Sequence, residues 1–355
     1  MYQTITKKIL ADTYTPVSIY QKVKQQYPKS VLLESSDYHS KQDSYSIIGF
    51  KEIASIELKN DVLKTQINGV ITTSKTENLS KSIGDFKNAF KVETNELSKP
   101  FSGIYGFTGF DATECFEPIL KNETSKNDIP TCHYSFFECL IIFNHFNSEL
   151  IIIRHVENNN SNDESDLTEV LHLLKQATPP FFNFNIEKEE QSTPSRDEYL
   201  SLVEKGIDHC LRGDVFQIVL SRQFTQPYSG DEFQVYRTLR SINPSPYLFF
   251  FDFGNFSLLG SSPEAHIKLT DGNAEIHPIA GTYKRTGDYK MDTEQSLHLL
   301  DDSKENAEHI MLVDLARNDL SRSCKNVEVT KLKELQFFQL NLFCSNHRPH
   351  PCPLD

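Results

Sequence analysis

Three observations predict a fold of mixed strands and helices in which strands dominate the first half. Apolar and polar residues alternate in SYSIIGF, IASIEL, VLKTQI, SGIYGF and LIIFNHF, and again in ELIIIRHV, which is the period of a half-buried strand. Helical spacing interrupts this pattern near residues 18–26 and 82–90. Beyond residue 190 a helical apolar stripe comes first and an apolar strand run follows it.

In chain order, residues 1–157 read as a strand-rich region with two helices. ENNNSNDESD, residues 157–166, is polar and aperiodic, as expected of a loop. A short helix over 167–176 leads into TPPFFNFNIEKEEQSTPS, where prolines and charges replace any repeat and mark a domain join near residue 190. The expected organisation is an N-terminal region, 1–190, a second region, 191–338, and an irregular tail, 339–355. The second region opens with a helix over 197–211, on which Tyr199, Leu202, Val203, Cys210 and Leu211 approximate one apolar face. Arg212-Gly213-Asp214 ends it, because glycine closes a helix readily in the left-handed conformation. VFQIVLSRQF then predicts a strand, with Gln217 on the face of Val215, Val219 and Ser221, half-buried and hydrogen-bonded.

With 355 residues, 38% hydrophobic and 24% charged, the chain can bury sizeable cores in two or three domains. No apolar run approaches the roughly 18 residues of a membrane helix. MYQTITKKILADTY has no apolar core of the signal-peptide kind, so a cytoplasmic protein is expected. Seven cysteines at irregular spacing point to reduced thiols. A formal net charge of -13 argues against nucleic acid and anionic membrane as partners. An anionic substrate then needs a local positive field, for which Lys284, Arg285, Arg317 and a bound metal are the candidates.

The most informative segments are PIAGTYKRTG, residues 278–287, and KENAEHIMLVDLARNDLSR, residues 304–322. The first predicts a strand over 274–279 that breaks into a Gly281-Thr282 turn. Glycine lets the backbone approach a ligand, the turn's N–H groups can face an anion, and threonine adds a hydroxyl donor. The second segment predicts a helix on which Glu305 and Glu308, three residues apart, share one face and can hold one hard cation. His309 turns away from that face by about 100° and is expected to pack within the protein. An anion-receiving turn beside paired carboxylates fits a site where Mg2+ bridges the protein to an acidic substrate.

Taken with LLES at 32–35, GDVFQIVLSR at 213–222, NPSPY at 243–247 and SSPE at 261–264, these segments resemble the chorismate-utilising enzymes, and most closely anthranilate synthase component I. The resemblance implies an α+β fold of four layers, α/β/β/α, with two antiparallel sheets packed between helices and a C-terminal part that is incomplete here. It implies the large subunit of anthranilate synthase, which converts chorismate and ammonia to anthranilate and pyruvate for L-tryptophan synthesis. The ammonia comes from glutamine through a glutaminase partner, component II, and L-tryptophan is the feedback inhibitor.

By the same resemblance Glu308 is the direct Mg2+ ligand, Glu305 holds metal-bound water, and Gly281 and Thr282 bind chorismate. Glu264 matches the general acid for the departing ring hydroxyl, a role suited to a carboxyl of raised pKa. Gln217 stands where the water-adding isochorismate and salicylate synthases carry a lysine base, and ammonia, already nucleophilic, needs no such base. Ala280 stands where aminodeoxychorismate synthases typically carry lysine. Ser35, Pro246, Tyr247 and Leu248 correspond to the L-tryptophan site, Ser35 at the polar end of the ligand and the others bordering its ring and amino group.

Past KLKELQFF, residues 331–338, the resemblance stops. The relatives' catalytic histidine, further chorismate contacts and second metal carboxylate have no counterpart in QLNLFCSNHRPHPCPLD, which reads as a truncated or frame-shifted end and predicts little turnover. Two alternatives stand beside the main reading: an inactive fragment retaining ligand or partner binding, and another chorismate enzyme, aminodeoxychorismate or isochorismate synthase. Cys344, His347, His350 and Cys352 imitate a zinc set without a flanking hairpin or helix to orient them.

Overall fold

The computed structural model describes residues 1–35, 44–75, 78–117, 128–157, 167–284, 286–330, 332, 334–337 and 341–345. Two compact units emerge, Met1–Pro179 with Leu239–Asp355, and Pro180–Thr238. The expected join near residue 190 falls inside the smaller unit. Strand pairing explains the difference: Tyr247–Asp252 lies between Ser30–Ser35 and Ser257–Ser262, so the second half of the chain returns to extend the sheet begun by the first.

That sheet has 11 strands. Its main path runs Ser257–Ser262, Tyr247–Asp252, Ser30–Ser35, Tyr45–Lys59, Cys132–Asn144, Glu149–Glu157, Tyr2–Leu10 and Val92–Glu93. Val62–Ile67 pairs with Tyr45–Lys59 and with Val70–Lys75, and Ile104–Thr108 pairs with Cys132–Asn144. The pairings are antiparallel, except that Tyr2–Leu10 meets Val92–Glu93 in parallel. With helices packed on this sheet the fold is α+β, as the resemblance implies. Elsewhere the described residues form a three-stranded sheet of Ile279–Lys284, Asn341–Ser345 and Glu334–Phe337, and three two-stranded pairs.

The helix Pro16–Gln26 shows how sequence builds this layer. Thr15 and Ser18 form a reciprocal capping box, and Pro16 occupies the first turn, where a missing N–H costs nothing. Ile19, Tyr20 and Val23 are fully buried, each side chain contributing about 1.5–3 kcal/mol by leaving water. Tyr20 meets Phe250 edge-on at 5.7 Å and shares a 3.0 Å hydrogen bond with Ser30, which ties the helix to two adjacent strands. Val31, Phe137, Leu140, Ile142, Ile151, Ile153, Phe251 and Phe253 form a second core cluster in the same sheet. No described helix is long and apolar enough to cross a membrane.

In the smaller unit, helix Arg196–Arg212 starts at a Ser195–Glu198 capping box and stops at Gly213, whose φ of 78° is left-handed. The strand expected after it does not form over 215–222; only Gln223–Thr225 pairs, with Gln191–Thr193. A strand needs a partner for its backbone groups, and among the described residues no strand pairs with this segment, whose Ile218 and Leu220 lie instead against Gly206 of the preceding helix. Phe216 and Val219 therefore stand 101% and 87% exposed, and Gln217 is exposed rather than half-buried.

The tail differs from expectation in the other direction. Asn341–Ser345 is a strand paired on both sides, with Ile279–Lys284 and Glu334–Phe337. His347, His350 and Cys352 lie outside the described residues, as does the expected loop over 158–166.

Candidate active site and amino-acid site

The PIAGT segment is a strand with a bulge rather than a strand ending in a turn. Ala280 pairs with Cys344 and Thr282 with Phe343, which leaves Gly281 as the extra residue, at φ 69°. Glycine takes this conformation without penalty, and the close packing around it also demands the absence of a side chain. A Cβ placed there would lie 2.8 Å from Leu299 Cδ1 and 3.2 Å from Glu305 Oε2. The structure thus brings Gly281 and Glu305 together. The Thr282 side chain and all of Arg285 lie outside what is described.

Glu305 and Glu308 belong to helix Ser303–Ser321. Asp302 caps it, accepting from the N–H groups of Lys304 at 2.9 Å and Glu305 at 3.0 Å, so the first turn is held where Glu305 meets the bulge. Both glutamates are half-buried. Upstream, buried Asp292 accepts from the Thr286 N–H at 2.7 Å and its hydroxyl at 2.8 Å, which anchors the loop that leaves the strand. His309 is buried, and its Nε2 donates to the Leu332 carbonyl at 2.7 Å, the packing role expected of it. Of the cations proposed for a positive field, Lys284 is exposed and Arg317 is paired with Asp314 at 2.6 Å.

Among the described residues no group of three histidine, cysteine or acidic side chains is placed to hold a metal ion. The donor type still fits magnesium, which prefers hard oxygens and takes only one or two protein carboxylates when substrate and water complete its shell.

LLES, NPSPY and SSPE meet at one end of the large sheet. Ser35 is the register partner of Tyr247, and Tyr247 of Ser262, so the three share a face. Glu34, Leu248 and Ser261 are the next partners and face the opposite side. Leu248 is buried there, so its side chain points away from Ser35, unlike Tyr247. Pro246 and Tyr247 are half-buried. Ser261 Oγ donates to the Asn243 carbonyl at 2.6 Å, and the Glu264 N–H donates to Ser262 Oγ at 3.1 Å. The Glu264 side chain itself is exposed. Arg240, which belongs to none of the sequence motifs, donates from Nε to Glu34 Oε2 at 2.9 Å. Opposite charges inside one motif and just before another were the available signal, but only the register joins them.

The chorismate binding enzyme family matches residues 17–339. The chain belongs to this family. Anthranilate synthase component 1 of Aquifex aeolicus is 31% identical over 338 residues, 91% of this chain and 67% of that relative. Anthranilate synthase component I from Streptococcus pneumoniae superposes with a TM-score of 0.71 at 28% identity, covering 96% of this chain and 76% of its own. The menaquinone-specific isochorismate synthase of Escherichia coli gives 0.66 at 14% identity, covering 96% and 69%, a likeness of fold alone. This chorismate binding enzyme spans about two thirds of the length of the curated relatives it matches.

Proposed function

We propose that this chorismate binding enzyme carries the chorismate-converting site of an anthranilate synthase. The observation that supports it most is the packing of the Gly281 bulge against Glu305, in a chain with 31% identity to an anthranilate synthase component 1. On this reading chorismate and ammonia give anthranilate, pyruvate and water. Glu308 and Glu305 would hold Mg2+, which would neutralise a substrate carboxylate among so many acids. Gly281 lets the backbone close on the substrate, with Thr282 as its neighbour in binding. Glu264 gives a proton to the departing ring hydroxyl, which otherwise leaves poorly. Gln217, an amide, cannot act as a base, which suits ammonia as nucleophile. A glutaminase partner supplies that ammonia from glutamine, the setting is cytoplasmic, and L-tryptophan inhibits through Ser35, Pro246, Tyr247 and the Leu248 backbone.

A second reading, binding without turnover, draws support from the exposure of Glu264 and Gln217, because proton transfer and ammonia addition both profit from exclusion of water. One experiment separates the two. The chain is given chorismate, Mg2+ and ammonium, and anthranilate is followed by its fluorescence, with all products resolved by chromatography. Anthranilate as the product supports the first reading, chorismate binding without product supports the second, and isochorismate or aminodeoxychorismate as main product overturns both.

A further inference from the structure

The face of the sheet opposite Ser35 carries a buried polar layer beneath the candidate amino-acid site. Glu34 is 4% exposed at its side chain and sits in register with Leu248 on one side and Ser46 on the other. Arg240 reaches it from the last turn of helix Phe233–Ile242, so the pair fixes where that helix ends and the NPSPY segment begins. The same segment is held again at Asn243, whose carbonyl accepts from Ser261 on this same face. Next to Glu34, Ser46 shares a 2.8 Å hydrogen bond with His145, whose burial lowers its pKa and keeps it neutral near pH 7. Residues 243–246 are thus held on their N-terminal side by Arg240 and Asn243, and on their C-terminal side by the strand pairing of Tyr247 and Leu248.

We propose that the Arg240–Glu34 ion pair is the positioning device of the Ser35–Tyr247 site, holding residues 243–246 in the conformation that receives an amino acid. The proposal rests on reading that site as the place where L-tryptophan binds. Exposed ion pairs contribute only about 0–1 kcal/mol, and Arg240 is itself 45% exposed, but its partner Glu34 is buried, so removing the guanidinium weakens the hold on a carboxylate out of water and releases the helix end that the pair was holding. Arg240 touches no ligand on this account; it acts through the backbone that follows it. The planar guanidinium fork matters as well as its charge, so lysine restores only part of the effect.

The test is calorimetric titration of the full chain with L-tryptophan, with thermal melting of each variant in parallel. Arg240→Ala and Glu34→Gln should each weaken binding by roughly tenfold or more, about 1.4 kcal/mol at tenfold. The double variant should be no worse than the weaker single, and Arg240→Lys should fall between. Ser35→Leu should abolish binding. Unchanged affinity in Arg240→Ala and Glu34→Gln, alongside loss in Ser35→Leu, overturns the pair's role and leaves the site standing. A lowered melting temperature with unchanged affinity overturns it equally, since that is what a merely structural pair would show. No binding by the unmodified chain overturns the site and the proposal with it. If Arg240→Ala does not fold, Glu34→Gln and Arg240→Lys carry the same decision.

Discussion

Gly281 shows how little room the candidate chorismate site leaves. Its φ of 69° alone would cost an L-residue about 1–2 kcal/mol, and the neighbours at 2.8 Å and 3.2 Å add a crowding cost of about 1–3 kcal/mol. Gly69 is the natural comparison, with φ of 80° and nothing within 4 Å of a Cβ. Gly281→Ala should therefore lose stability in urea by about 1–3 kcal/mol more than Gly69→Ala, and should also weaken chorismate binding by shifting Glu305. Equal losses in the two variants would show that the contact with Glu305 is not tight. In the sequence, residue type marks Gly281 and helical spacing marks Glu305, each separately. A bulge there reads as a turn because both take glycine at positive φ, and only the strand pairing of Ala280 and Thr282 tells them apart.

At the scale of elements, what was legible follows from how local the cause is. Alternation announces Tyr45–Lys59, Cys132–Asn144 and Glu149–Glu157, and caps bracket the helices Pro16–Gln26 and Arg196–Arg212, because those signals lie within each element. Pairing is non-local, so neither the return of Tyr247–Asp252 to Ser30–Ser35 nor the unpaired state of residues 215–222 can be read from periodicity. Nor can a charge network made only by register. Glu52 lies 2.6 Å from Lys29, accepts from Ser135 at 2.5 Å and stands 3.8 Å from His133, which is 3.2 Å from Glu57. Burial alone would raise the Glu52 pKa, but hydrogen bonding from His133, Lys29 and Ser135 outweighs it and brings the value down from 4.5 to about 2. His133 is pushed down by burial and more strongly up by the two carboxylates, and ends above 6.5. The Glu52 contribution is present above pH 4.5 and disappears as pH falls through about 2. The His133 contribution is present below pH 6.5 and disappears as pH rises through its raised value. The network, worth on the order of 3 kcal/mol as a whole, should stabilise the chain most between those limits. Melting temperature against pH checks this: His133→Gln should remove the alkaline decline, and an unaltered alkaline limb would rule the network out as its cause.

For the whole molecule, the division into units is a division of stability. Central strands of the large sheet bury their side chains on both faces, as in Ile141, Ile142, Ile152 and Ile153, and their backbone groups are paired along their length. In the smaller unit Gly206 is the only buried residue of helix Arg196–Arg212, and the segment that follows leaves Phe216 and Val219 in water. Local opening free energy tracks burial and pairing, so hydrogen exchange should resolve the two units sharply. Amides of Tyr45–Lys59 and Cys132–Asn144 should exchange last, through global unfolding. Those of 215–222 should exchange at rates close to an unstructured peptide, and helix Arg196–Arg212 should fall between. Phe216→Ser supplies the matching thermodynamic check. A side chain that is 101% exposed buries nothing to lose, so the melting temperature should stay within the shift given by about 0.5 kcal/mol. Protection of 215–222 equal to that of Tyr247–Asp252, together with a large loss in Phe216→Ser, would mean that the segment is paired in solution and that Gln217 occupies the half-buried strand position its alternating neighbours predict.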